Sequence, residues 1–319
     1  MVYQMKPLFE ERMKKLLGRE EDFESFRKIV HTGPRNFIRC NTLKISPKKL
    51  LGKLRKRWDV EQLFKDFPEI MLVLTDLGPG ELGNAIEHLL GYFYVQEVSS
   101  MMSVLALDPK PGEFVLDLCA SPGSKTTQIS ARMKNKGTII ANDKDLNRVK
   151  ILAANLERAG VSNAIVTRND GVQLCEKFAK KGWKFDKILL DVPCSGEGTL
   201  RSSPKTFLMW NFKVVNKLAR EQKKLFASAI KCLKVGGEMV YSTCTHAPEE
   251  NEEVIDFALK NFPVEIQRAK LPLKCRPGLK TWEGRKFNEG AEKACRIYPQ
   301  DNDSEGFFVT KLRLKEEVR

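Results

Sequence analysis

Two cysteines stand at the ends of apolar, strand-like runs. Lys187-Ile188-Leu189-Leu190 leads into Asp191-Val192-Pro193-Cys194-Ser195-Gly196, and Glu238-Met239-Val240-Tyr241 leads into Ser242-Thr243-Cys244-Thr245. Enzymes of the α/β class place their chemistry at such carboxyl ends, downstream of a glycine-containing cofactor loop. A thiol there suggests a thiolate nucleophile. Position alone does not say whether Cys194 or Cys244 attacks. A lone thiol would read as packing, but polar Thr243, Thr245 and His246 surround Cys244.

The loop Asp117-Leu118-Cys119-Ala120-Ser121-Pro122-Gly123-Ser124-Lys125-Thr126-Thr127 follows an earlier apolar run. A P-loop needs Gly-x-x-x-x-Gly-Lys-Ser/Thr, but Ser124 separates Gly123 from Lys125 and no upstream glycine is present. A dinucleotide fingerprint needs three glycines, and one is here. S-adenosylmethionine fits better, since it carries a nucleoside and an amino acid but no phosphate. Residues 119–125 would meet its methionine moiety, with the Cys119 side chain packing and only its backbone in contact. Asp143, closing the second strand, suits the ribose hydroxyls, Asp170 the adenine amino group, and Arg148 supports the same wall. Acids at strand ends often only cap the next helix. Asp117, Asp143, Asp170 and Asp191 after four successive strands exceed that habit.

Those residues require a frame of strands alternating with helices. Apolar runs at 114–118, 138–142, 164–167, 187–190 and 238–242 alternate with helical patterns near 125–133, 146–159, 172–180, 213–233 and 249–261. Such alternation predicts an α/β, Rossmann-like domain with a parallel sheet covered on both faces. Asp108-Pro109-Lys110-Pro111-Gly112 marks a boundary. It divides a smaller N-terminal α/β region, 1–110, from a catalytic domain, 111–319. Ser46-Pro47 opens a basic helix to about Arg57.

The balance of 55 Lys and Arg against 41 Asp and Glu gives +14. Lys44 to Arg57 carries no acid, and Lys205 to Lys234 carries only Glu221. Several patches of one sign favour a polyanionic partner, nucleic acid first. No run of eighteen apolar residues suggests a membrane span, and the N-terminus lacks the apolar segment of a secretion signal. The expected location is the cytoplasm, and the default state a monomer. Eight cysteines form no Cys-x-x-Cys pair and three histidines are isolated, so no metal site is expected. Cys40, Cys175, Cys232, Cys275 and Cys295 read as inert.

The two cysteine motifs, extended through Glu197-Gly198-Thr199 and His246-Ala247-Pro248-Glu249-Glu250-Asn251-Glu252, resemble those of the RNA cytosine-5 methyltransferases of the Nol/Nop/Sun family. Archaeal tRNA-type members are the nearest in pattern. Arg39-Cys40-Asn41-Thr42-Leu43, Tyr94 to Met101 and the loop at 117–127 are similar as well, so the likeness runs from about residue 35 to 312. Cytosine C5 is a poor nucleophile until a thiolate adds to C6. An acid facing N3 must offset the charge that this addition builds. The resemblance implies that Cys244 attacks C6, Cys194 assists release, Asp191 meets N3, and Lys125 holds the charge network. It implies S-adenosylmethionine as cofactor and RNA, tRNA first, as partner.

The loop from Gly196 to Pro204 reads either as a lid for a flipped base, with Arg201 touching phosphate, or as an ordinary solvent loop. Glu249, Glu250 and Glu252 suit the positive end of the helix that follows Pro248. Gln300 stands where the family pattern has histidine after Pro299. An rRNA-directed member and a non-catalytic RNA-binding assembly factor are the rival readings. A DNA cytosine methyltransferase would lack the Thr-Cys thiol.

Overall fold

The computed structural model describes residues 4–318. Five parallel strands form one side of a nine-stranded sheet, out to its edge. In spatial order they are Ala164–Arg168, Thr138–Asp143, Phe114–Asp117, Phe185–Asp191 and Leu233–Thr243. Helices such as Ser124–Met133 and Leu146–Ala159 supply the crossovers that parallel pairing needs. Their ends obey local chemistry. The side chain of Asp145 accepts from Arg148 N at the start of the second helix, and Gly160 closes it in the left-handed region at φ 72°. Phe114–Asp117 comes first in sequence; the chain adds Thr138–Asp143 and Ala164–Arg168 on one side of it, then crosses over to add Phe185–Asp191 and Leu233–Thr243 on the other. That reversal opens a crevice at the carboxyl edge.

The C-terminal strands join this sheet in the antiparallel sense. Phe307–Leu314 runs antiparallel beside Leu233–Thr243, and Cys295–Ile297 and Val264–Gln267 pair antiparallel with it. The chain between 267 and 307 holds no helix of crossover length, so it returns in the opposite sense. Two core clusters cover the two faces, one around Ile188, Leu190, Phe226 and Tyr241, the other around Val115, Ile139, Leu189 and Val240.

A second sheet, order Val60–Glu61, Ile70–Val73, Asn36–Cys40 and Phe93–Val95, is antiparallel. It packs through Ile38, Val60 and Met71 on Leu50 and Leu54 of the Pro47–Leu54 helix. Ser46 caps that helix at Lys49 N, which leaves Lys48, Lys49 and Lys53 exposed.

Helices Pro7–Leu17 and Glu20–Ile29 pack instead with Leu200, Phe207 and Trp210. Asp22 takes both Arg276 and Gln300, which gives Gln300 a structural role. Cys275 and Cys295 form a disulfide, correcting their reading as inert thiols. Pro277 lies opposite Cys295 in the ladder, which brings the two cysteine Cα atoms to 5.1 Å. Among the described residues no helix is long and apolar enough to cross a membrane, and no His, Cys, Asp and Glu cluster suits a metal ion.

Candidate active site

The crevice is a cleft of about 590 Å³ lined by Cys119, Ser121, Asp143, Arg148, Asp170, Asp191, Cys194 and Cys244, among others. Cys244 directly follows the Leu233–Thr243 strand, and Cys194 lies three residues beyond Phe185–Asp191. These strands are neighbours, with Asp191 opposite Ser242. Their sulfurs stand 3.0 Å apart, and Cys244 N donates to Cys194 Sγ at 3.3 Å. The hydrogen bond to Cys244, then burial, then the charge of Glu250 push the Cys194 thiol well above its usual range. Cys194 therefore holds its proton more firmly than a free thiol.

Asp191 is held from two sides. Lys125 Nζ lies 2.8 Å from Oδ2, and Ser242 Oγ donates to Oδ1 at 2.7 Å. Burial works against the Lys125 ammonium, but contact with Asp191 and the nearby Cys244 and Asp117 outweigh it and raise its pKa. Position two residues before Cys244 does not by itself mark Ser242 as a partner of Asp191. Thr245 Oγ1 meets Ser195 Oγ at 2.8 Å, and Thr243 donates to Asn251. His246 is buried and stacked on Tyr298, and burial pulls its pKa down to about 3. It carries no exchangeable charge near neutrality.

The opposite wall carries the acids expected for a nucleoside. Asp143 pairs with Arg148 at 3.2 Å, and Arg148 donates to the Ser121 carbonyl at 2.8 Å. Asp170 lines the cleft and also caps the Gly171–Lys180 helix, accepting from Val172 N and Gln173 N. The capping explanation and the wall thus coexist. Asp117 accepts from Thr126 Oγ1 at 2.7 Å, and burial lifts its pKa to about 7.

Cys119 is only part-buried and lines the cleft, so it is not a packed-away thiol. Ala120, Pro122, Gly123 and Ser124 shape the loop instead of lining the cleft. Ala120 N donates to the Asn142 carbonyl, Asn155 donates to the Pro122 carbonyl, and Gly123 sits at φ 104°.

The carboxylates after Pro248 correct the capping expectation. The helix starts only at Glu252, and all three acids turn inward. Glu249 takes Arg12 at 2.7 Å, and Glu252 takes Arg296 Nε at 2.6 Å. Glu250 accepts Ser195 N at 3.0 Å and Gln222 Nε2 at 2.7 Å, while Gln222 also donates to the Pro193 carbonyl. The backbone on both sides of Cys194 is therefore fastened. Burial lifts the Glu250 pKa to about 7.

The lid expectation is corrected too. Arg201 is buried and donates to the Gly33 and Ser304 carbonyls and to Asp303, so its donors are spent inside the protein. Gly198 N donates to the Cys244 carbonyl, and Gly306 N donates to that of Gly198. A Cβ on Gly198 would stand 2.2 Å from the Gly306 oxygen, so only glycine permits this approach. The loop is bound to the cysteine backbone.

This Rossmann-like sheet, with its acid-lined cleft at the strand ends, defines an S-adenosylmethionine-dependent methyltransferase fold. The family model described as 16S rRNA methyltransferase RsmB/F matches residues 104–313. The chain belongs to that RsmB/F (Nol1/NOP2/Sun) family and is an RNA cytosine-5 methyltransferase.

A tRNA (cytosine(49)-C(5))-methyltransferase of Pyrococcus abyssi is 43% identical to it, over 96% of this chain and 97% of that protein. A ribosomal RNA small subunit methyltransferase F of Aliivibrio fischeri is 41% identical, over 88% of this chain and 58% of that protein. A solved methyltransferase homolog protein from Pyrococcus horikoshii superposes with a TM-score of 0.83 at 34% identity, covering 97% of this chain and 95% of that one. NSun6 from Pyrococcus horikoshii, solved with SFG, gives 0.85 at 27% identity, covering 99% of this chain and 100% of that one.

Proposed function

We propose that the protein forms 5-methylcytosine in tRNA through a transient bond between Cys244 and C6 of the base. The observation that carries this reading is the thiol pair on the cleft edge beside the Lys125–Asp191 ion pair. The Cys244 thiolate adds to C6, electron density moves toward N3, and N3 takes up a proton that the Lys125 ammonium delivers through Asp191. C5, now enamine-like, takes up the methyl group. Bound S-adenosylmethionine supplies that methyl group. Loss of the C5 proton then drives the electron pair back and expels the Cys244 thiolate, with Cys194 assisting release.

Asp143 with Arg148 is assigned to the ribose, and Asp170 on the same wall to the adenine. Residues 119–125 are assigned to the methionine moiety, part of them through loop shape alone. Residues 1–110 serve as the RNA-binding region through the exposed Lys48, Lys49 and Lys53, and residues 111–319 carry catalysis.

The tRNA assignment draws on the archaeal relative, whose likeness extends over nearly its whole length. An rRNA substrate is the second reading, favoured by the description of the family model and by the bacterial relatives. Bisulfite sequencing of total RNA with and without the gene decides between them. Loss of protection at a tRNA cytosine is expected, loss at an rRNA cytosine supports the second reading, and an unchanged map overturns both.

A further inference from the structure

Arg39 lies outside the stretch that the family model matches and contributes nothing to the cleft lining. It sits on the Asn36–Cys40 strand of the N-terminal sheet, 3% exposed. Among the described residues no carboxylate pairs with its guanidinium, a costly state for a buried cation. An apolar side chain would fill the same place without that cost.

Three of its four hydrogen-bond acceptors lie on one short segment of the catalytic domain. Nη1 donates to the Ser124 carbonyl at 2.8 Å, and Nη2 to Thr127 Oγ1 at 2.7 Å. Nη1 also reaches Gln96 Oε1, and Gln128 Oε1 at 3.5 Å. Ser124, Thr127 and Gln128 belong to the first turns of the Ser124–Met133 helix. Lys125, in the same turn, projects to Asp191. The cation thus grips the backbone and side chains on either side of Lys125 in sequence.

We propose that Arg39 is a positioning residue that fixes the first turn of this helix so that Lys125 meets Asp191. The N-terminal sheet then builds the active site as well as flanking it. The consequence for catalysis rests on the reaction proposed above, whereas the latch itself does not. Simple glue between two parts of the chain would affect stability alone. A latch on Lys125 must also change the ionisation of the site. Burial opposes the Lys125 charge and Asp191 sustains it, so a displaced Lys125 gives up its proton at lower pH.

The test uses the full-length chain with Arg39→Met, Arg39→Lys and Thr127→Val. Hydrogen exchange at the Ser124–Gln128 amides is followed together with kcat, KM and the pH profile on the RNA that the wild type methylates. Arg39→Met is expected to speed exchange at these amides. It should lower kcat about 100-fold, the scale of a misplacement near 1 Å, with KM for RNA within about threefold, the scale of a minor binding change. The alkaline limb of the profile moves to lower pH, and Arg39→Lys falls between Arg39→Met and wild type.

If Arg39→Met does not fold, Thr127→Val removes one acceptor at nearly constant shape and should move exchange, kcat and the limb in the same directions. Unchanged exchange, or faster exchange with kcat and the limb unmoved, overturns the proposal. A wild type that methylates no RNA overturns the reaction instead, and exchange in wild type against Arg39→Met still decides the latch.

Discussion

Cys194 Sγ lies 3.0 Å from Cys244 Sγ, though fifty positions separate the residues and each follows a different strand. Parallel pairing of those strands, Asp191 opposite Ser242, sets the spacing. Because Cys194 holds its proton, the two sulfurs are not equivalent. Cys244→Ser is expected to abolish both methyl transfer and covalent capture of RNA. Cys194→Ser should still form the sulfur–carbon bond and accumulate a protein–RNA adduct on denaturing gels. Full methyl transfer by Cys244→Ser would end the assignment.

Asp143 is nearly buried at its strand end, with Arg148 alongside. Removing its charge while keeping its shape in Asp143→Asn should weaken S-adenosylmethionine binding. A hydrogen bond to a charged group contributes about 1.5–3 kcal/mol, or roughly 10- to 150-fold in Kd. Calorimetry on the RNA-free protein measures this directly. An unchanged Kd would move the ribose contact elsewhere.

Glu250 predicts a pH dependence of stability. Burial lifts its pKa from the ordinary 4.5 to about 7. Below 4.5 the folded and unfolded chains both hold the proton, and the full stability is present. Between the two values only the folded chain holds it, so stability falls as pH rises through about 7, by on the order of 3 kcal/mol. Asp117 shifts in the same direction but is common to wild type and variant. In Glu250→Gln the decline should shrink, seen as a smaller drop in Tm from pH 5 to 8. Parallel Tm curves for the two proteins would contradict this.

The Cys275–Cys295 bond closes a separation of twenty residues. Chain-entropy reasoning gives about 3 kcal/mol for a loop of that order. Cys275→Ser should lower the denaturant midpoint, and reductant should then have no further effect. Alkylation after unfolding without reductant should label six thiols, because six of the eight cysteines are free. Eight labelled thiols would refute the bond.

The parallel strands and their helices were legible because their side chains are buried on both faces, leaving near-continuous apolar runs such as Ile188-Leu189-Leu190. The cysteines, Asp191 and Lys125 were legible from strand-end position and motif. Arg39, Gln222 and Ser242 were not, since each acts through direction in space, which spacing along a chain does not encode. The Glu249–Glu252 run misled for a clear reason. Acids ahead of a helix have an ordinary surface explanation, and their true partners, Arg12 and Arg296, stand 237 and 44 positions away.

The ion pair between Asp22 and Arg276 joins positions 254 residues apart. Translation delivers the first helices long before the segment that receives them. Until Trp210 and then Arg276 emerge, the apolar faces of Phe9, Phe23 and Phe26 have no distant partner to cover them. Contacts of such range slow folding and leave nascent chains prone to aggregation. The earliest-made helices thus wait for the C-terminal third of the chain before they are seated, and protection of this N-terminal pair in pulse-labelled refolding should trail that of the central strands.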